Sequence, residues 1–122
     1  SGIIASARDL ADYSIALDQG RILPVDLVEK MWTPPTDGDG KPAPYAYGWY
    51  VQEWQGHRLV WHGGWWPDAY AGMILKAPDD GWTLIALGNT DGIYWGNPLG
   101  RAEIETSPIA ARFLELFLAE EQ

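Results

Sequence analysis

At 122 residues the chain suits one domain or part of a larger one, and 47% hydrophobic with 13% aromatic residues excludes intrinsic disorder. Seventeen acidic against eight basic residues give a net charge of −9 with no basic cluster, which excludes a nucleic-acid surface built to displace counterions from phosphates. Cysteine is absent, so disulfides, thiolate catalysis and cysteine-bound metals are excluded. No apolar run approaches the roughly 18 residues of a membrane span, and no leader peptide is expected within the chain.

Ser6 can cap a first helix with Asp9 in its opening turn, close to a capping box. Leu10, Tyr13, Ala16 and Leu17 follow at helical spacing, and Gly20 ends the run. Pro24 suits the start of a second helix carrying Leu27, Val28 and Met31, and Pro34 and Pro35 stop it. Pro, Gly, Asp and Lys then mark a surface loop. The period changes to two beyond it. Residues 47–54 read as a strand, Gln55-Gly56 as a turn and residues 58–62 as a returning strand, with Gly63, Gly64 and Pro67 breaking the pattern. Residues 70–77 form a third strand, Pro78-Asp79-Asp80-Gly81 a turn and residues 82–88 a fourth. That fourth strand is apolar on both faces, which predicts a central place in the sheet. Ser107-Pro108 opens a last helix with Ala110, Phe113, Leu114, Phe117 and Leu118 in one stripe.

The predicted fold class is α+β, an antiparallel sheet of about four strands with N-terminal helices and a C-terminal helix, the helices on one face. As a single unit it divides into a helical segment 1–33, a loop 34–46, strands 47–92, a loop 93–106 and a helix 107–122.

Nucleophilic catalysis needs a hydroxyl, a base and donors for the oxyanion. The serines are Ser1, Ser6, Ser14 and Ser107, and none is followed three residues on by Lys or sits in Gly-x-Ser-x-Gly. His57 and His62 are the two histidines, five apart without a ligand pattern, so no metal or other cofactor is expected. His57, at a turn, is expected to be exposed. His62-Gly63-Gly64-Trp65-Trp66 stands out at a strand end. Two glycines permit close backbone approach or positive φ, and paired aromatics make a plausible site wall. The same five residues also fit a plain hairpin end with a stacked Trp pair and a partly exposed histidine.

The segment from Ser1 to Ala11 resembles the "gGl-x-Ser-x-Ala/Thr-x-Asp-Leu-Ala" stretch of class C β-lactamases, family VIII esterases and D-aminopeptidases. Ile22-Leu23-Pro24, Met31-Trp32-Thr33-Pro34, Tyr47-Gly48-Trp49, His62-Gly63-Gly64, Pro78-Asp79-Asp80-Gly81 and Leu87-Gly88-Asn89-Thr90-Asp91 follow in that family's order, over about residues 1–92. The resemblance implies the C-terminal portion of an incomplete β-lactamase/transpeptidase-like fold, acting on a small acyl or peptide-like substrate through an acyl-enzyme. In this family the nucleophile and base come from Ser-x-x-Lys, with Tyr-x-Asn second and Lys-Thr/Ser-Gly third. Only the third has a counterpart here, His62-Gly63-Gly64, so no catalytic residue is expected in this chain.

By the same resemblance His62, Gly63, Gly64, Trp65 and Trp66 bind substrate, and the Trp65 N–H points into an oxyanion hole. Histidine and glycine in place of Lys and a hydroxyl residue suit a carboxylate poorly, so the resemblance leans towards esterase or D-aminopeptidase chemistry. It further implies an extracytoplasmic location, and an upstream strand that pairs with residues 82–88. Without that strand, the open edge is expected to take up the missing N-terminal part or a second copy. A competing reading is a non-catalytic, Trp-rich binding module for carbohydrate. Trp49, Trp61 and Trp82, within strand patterns, are expected in the core.

Overall fold

In the computed structural model, which describes residues 2–98 and 100–120, regular structure begins with helix α1 (Ala7–Asp18). Asp9 N–H donates to the Ser6 hydroxyl at 3.1 Å and Ser6 N–H donates to Asp9 Oδ2 at 2.8 Å, a reciprocal capping box. Helix α2 (Val25–Met31) follows Pro24, and helix α3 (Pro108–Phe117) is capped by Ser107 with a proline in its first turn. Between them lie strands β1 (Tyr50–Trp54), β2 (His57–Trp66), β3 (Tyr70–Ala77) and β4 (Trp82–Gly88), which pair antiparallel in chain order. Among the described residues no helix is long and apolar enough to cross a membrane.

Local chemistry sets the turns. Gln55 and Gly56 both take positive φ (48° and 84°), the backbone of a two-residue hairpin loop that matches strand twist. Gly48, at φ 82°, ends the extended run before it reaches residue 47, so β1 is shorter than the predicted strand. At the other end of the sheet Asp68 turns at φ 58°, and its N–H donates to Asp91 Oδ2 at 2.9 Å.

The sheet is covered on both sides, not on one as the pattern predicts. One face carries Leu59, Trp61, Met73 and Leu75, and α3 seals it with Ala110, Phe113 and Leu114. The opposite face carries Val60 and Ile74, against which α1 and α2 pack Leu17, Val28 and Trp32. Alternation in β2 and β3 therefore separates two apolar sets, each needing its own cover. Fully burying such a side chain stabilises the fold by about 1.5–3 kcal/mol.

Two strands depart from expectation. β2 does not break at Gly63: it runs on to Trp66, because Gly63 pairs with Met73, Gly64 with Gly72 and Trp65 with Ala71 on β3. The apolar pattern of β4 alone predicts a central place, but among the described residues it is paired with β3 on one side alone, with the open edge that the family resemblance implies on residues 82–88. Trp82 is correspondingly 43% exposed and lies against Phe117 at a ring-centroid distance of 4.5 Å, whereas Trp49 and Trp61 are buried as predicted.

Candidate functional site

β1 pairs with β2 only as far as Tyr50 and Trp61. From His62 to Trp66, β2 keeps β3 on one side and has no strand on the other among the described residues. Half of that stretch's backbone N–H and C=O groups are therefore without ladder partners, directly beside the two glycines.

Side chains along the stretch alternate between the two faces. Gly63 and Trp65 share the α3 face, while His62, Gly64 and Trp66 share the α1 face. Trp65 and Trp66 accordingly do not stack on each other. Trp65 stacks on Tyr94 at 4.5 Å and 11°. Gly63 and Gly64 are absent from the positive-φ residues, so close approach and not backbone strain accounts for glycine at Gly63. A Cβ built there would lie 3.0 Å from Trp95 Cη2, whereas one at Gly64 meets nothing within 4 Å.

Two hollows flank this stretch. A cup of about 390 Å³ is lined by Tyr45, Tyr50, Trp61, His62, Gly63, Trp65, Tyr94, Trp95 and Asn97. A wider, mainly apolar groove of about 680 Å³ lies on the other face, between α1 residues Leu10 and Tyr13 and the sheet residues Gly64, Trp66, Gly72 and Leu87. His62 borders both. Its ring is exposed, and Nε2 lies 2.9 Å from Tyr45 Oη. Nδ1 has no hydrogen-bond partner among the described residues. With the phenol donating to Nε2, neutral His62 offers Nδ1–H as a donor to a carbonyl. Trp95 Nε1 and Asn97 Oδ1 are closed to solvent without a partner among the described residues, at a cost of about 1–3 kcal/mol each.

His57 is not the exposed turn residue that its position predicts: it is half-buried. It opens β2, and its Nδ1 lies 2.9 Å from Asp80 Oδ2, joining the β1–β2 and β3–β4 turns. Among the described residues no cluster of three or more His, Asp or Glu side chains is placed to hold a metal ion.

Residues 1–104 match the family model described as Beta-lactamase. The chain belongs to that family. Its curated relatives include D-aminopeptidases of Brucella ovis and Brucella canis, each 38% identical over 64 residues, and one of Gluconobacter oxydans, 33% identical over 64 residues. Each match covers 52% of this chain and 12% of the relative, so this β-lactamase-family chain aligns with a small part of those enzymes. Membership of this serine-hydrolase family agrees with the order of short motifs in the sequence, and the helices and four-stranded antiparallel sheet agree with an α+β fold.

Sequence reasoning missed Tyr45, Tyr94, Trp95 and Asn97, which come from segments that read as loops. A signal existed at Tyr94-Trp95. Adjacent large aromatics in a loop flanked by Gly92 and Gly96 are costly to leave in water, so such a loop folds back onto something.

Proposed function

We propose that this chain forms one wall of a serine acyl-transfer site, with nucleophile and base contributed by an upstream Ser-x-x-Lys segment of the same enzyme. The observation that carries the reading is the His62–Trp66 edge of β2, which has no strand beside it among the described residues and is flanked by open space on both faces, in a chain of this family. An extended, peptide-like substrate can lie along such an edge and complete the ladder with its own amides. The serine Oγ attacks the substrate carbonyl, the leaving amine or alcohol departs with a proton from the base, and water then hydrolyses the acyl-enzyme. The Trp65 N–H donates to the developing oxyanion, a contact worth about 3–4 kcal/mol in the transition state. Nδ1–H of His62, oriented through Tyr45, donates to a second substrate carbonyl. No lysine stands in this wall, which supports ester or amide substrates over ones anchored by a carboxylate.

The carbohydrate-module reading has less support. Trp49 and Trp61 are buried, and one face of Trp65 is covered by Tyr94.

The test uses a fluorophosphonate probe and a p-nitrophenyl ester. This chain alone should neither label nor cleave, and the chain joined to its upstream Ser-x-x-Lys part should do both. In the joined form His62→Ala should lower kcat/KM about tenfold, the size of one lost hydrogen bond of about 1.4 kcal/mol, with the fold intact. Cleavage by this chain alone, or unchanged kinetics of His62→Ala across a substrate panel, would sink the assignment.

A further inference from the structure

Six of the residues around the smaller cup are aromatic, and they form a connected set. Tyr50 and Trp61 stack at 4.3 Å and 14° on the buried side, and Trp65 and Tyr94 stack at 4.5 Å and 11° on the open side. Trp95 links the two pairs, with its ring 5.8 Å from Trp61 and 5.8 Å from Tyr94, and Tyr45 meets Tyr50 edge-on at 4.7 Å. The rings are thus held by one another, which keeps the hollow open at small entropic cost.

We propose that this cup is a recognition pocket for a neutral aromatic ring carried by the substrate, with the carbonyl attached to that ring directed towards His62. The proposal rests on the acyl-transfer reading above and names its substrate class as aryl-bearing amides and esters. Three observations carry it. The volume of about 390 Å³ falls in the range of small-molecule sites. The lining rings already sit in offset and perpendicular pairs; Tyr50 and Trp61 are buried at the base, which leaves the outer rings Trp65, Tyr94 and Trp95 to meet a further ring. Among the polar groups of the lining, His62 sits at the rim, and with the Tyr45 phenol donating to its Nε2 it keeps Nδ1–H to meet a single carbonyl.

Charge narrows the ligand further. No Lys or Arg lines the cup, and the chain carries −9 overall, so a ring bearing a carboxylate finds no counter-ion there. Gly63 is part of the device: its missing side chain is what lets Trp95 close the wall.

The experiment titrates the 15N-labelled chain with phenylacetamide and follows the tryptophan indole signals, with acetamide and phenylacetate as controls. Phenylacetamide should shift Trp61, Trp65 and Trp95 saturably, acetamide should leave them in place, and phenylacetate should bind about tenfold more weakly. Trp95→Ala and Tyr94→Ala should each weaken phenylacetamide binding about five- to tenfold; Tyr94 lies outside the core, so its variant decides the matter if Trp95→Ala fails to fold. Equal shifts with acetamide, shifts confined to Trp66 and Trp82, or wild-type binding by a folded variant would overturn the cup. Fluorophosphonate labelling of the joined enzyme is read separately. Labelling without ring binding rejects the cup and leaves acyl transfer standing, whereas ring binding without labelling keeps the cup as a binding site and rejects acyl transfer.

Discussion

Gly63 and Gly64 are neighbours in sequence with opposite surroundings. Gly63 faces α3's side of the sheet and holds the rim of Trp95 at 3.0 Å from its absent Cβ, whereas Gly64 faces the wide groove with nothing within 4 Å. Gly63→Ala should therefore cost about 1–3 kcal/mol by overpacking against the indole. Gly64→Ala, in extended backbone with open space, should be neutral or stabilise by about 0.4–1 kcal/mol by restricting the unfolded chain. Urea midpoints decide between them, and equal losses at both positions would refute this account. The glycine pair was legible in the sequence as a place of close approach, because an unusual residue type sits in an otherwise extended run. Which of the two is approached was not, since the approaching indole is more than thirty residues away and its loop carries no periodic pattern.

At the scale of elements, features set by near neighbours were readable and those set by distant ones were not. The capping box at Ser6 and Asp9 and the two-residue turn at Gln55-Gly56 follow from residues within one turn of each other. The continuation of β2 through two glycines depends on β3, and the placement of α3 opposite α1 depends on the whole sheet. Lys76 shows the same limit. It sits on β3 at 1% exposure, where its ammonium donates to Ser14 Oγ, to Asp18 Oδ2 at 2.9 Å and to Thr83 Oγ1 at 3.3 Å. The contact clamps α1 to the sheet, and Lys76→Ala should cost about 3 kcal/mol or more by leaving the Ser14 hydroxyl buried and unpaired beside a cavity. A thermal midpoint equal to wild type would contradict it.

A second tie joins α2 to the β3–β4 turn: Arg58 donates to Glu29 at 3.1 Å and to Asp79 at 3.0 Å and 3.1 Å. The hydrogen bond from Arg58 holds the Glu29 carboxyl below its usual range, against a smaller opposing effect of burial. A carboxyl that titrates lower in the folded state gives stability that is complete above the unfolded glutamate range and is lost as pH falls through the folded value. Because Glu29 is largely exposed, salt should weaken the effect. Glu29→Gln should flatten the acid limb of Tm against pH, and an unchanged limb would show that the tie carries no proton linkage.

For the whole molecule, the margin at β4 joins the sequence reading to behaviour in solution. Its residues run Trp-Thr-Leu-Ile-Ala-Leu-Gly, apolar towards both faces, yet the strand has a neighbour on one side alone among the described residues. Edge strands that stay single carry lysine, proline or a bulge that blocks further pairing, and β4 has none of these. Leu87 is 45% exposed beside the groove that α1 leaves open, so an added strand would gain both ladder bonds and apolar burial. The charge of −9 opposes association at long range but is screened over about 10 Å at 0.1 M salt. The margin should therefore win at high concentration: light scattering should show a mass rising above 13.6 kDa as concentration and salt increase. Leu87→Lys should suppress the rise by placing a charge on the exposed margin while leaving the paired core of the sheet untouched. The upstream segment proposed above should suppress it too, by filling the same edge. A mass fixed at 13.6 kDa at every concentration would mean that the edge is closed by twist alone and needs no partner.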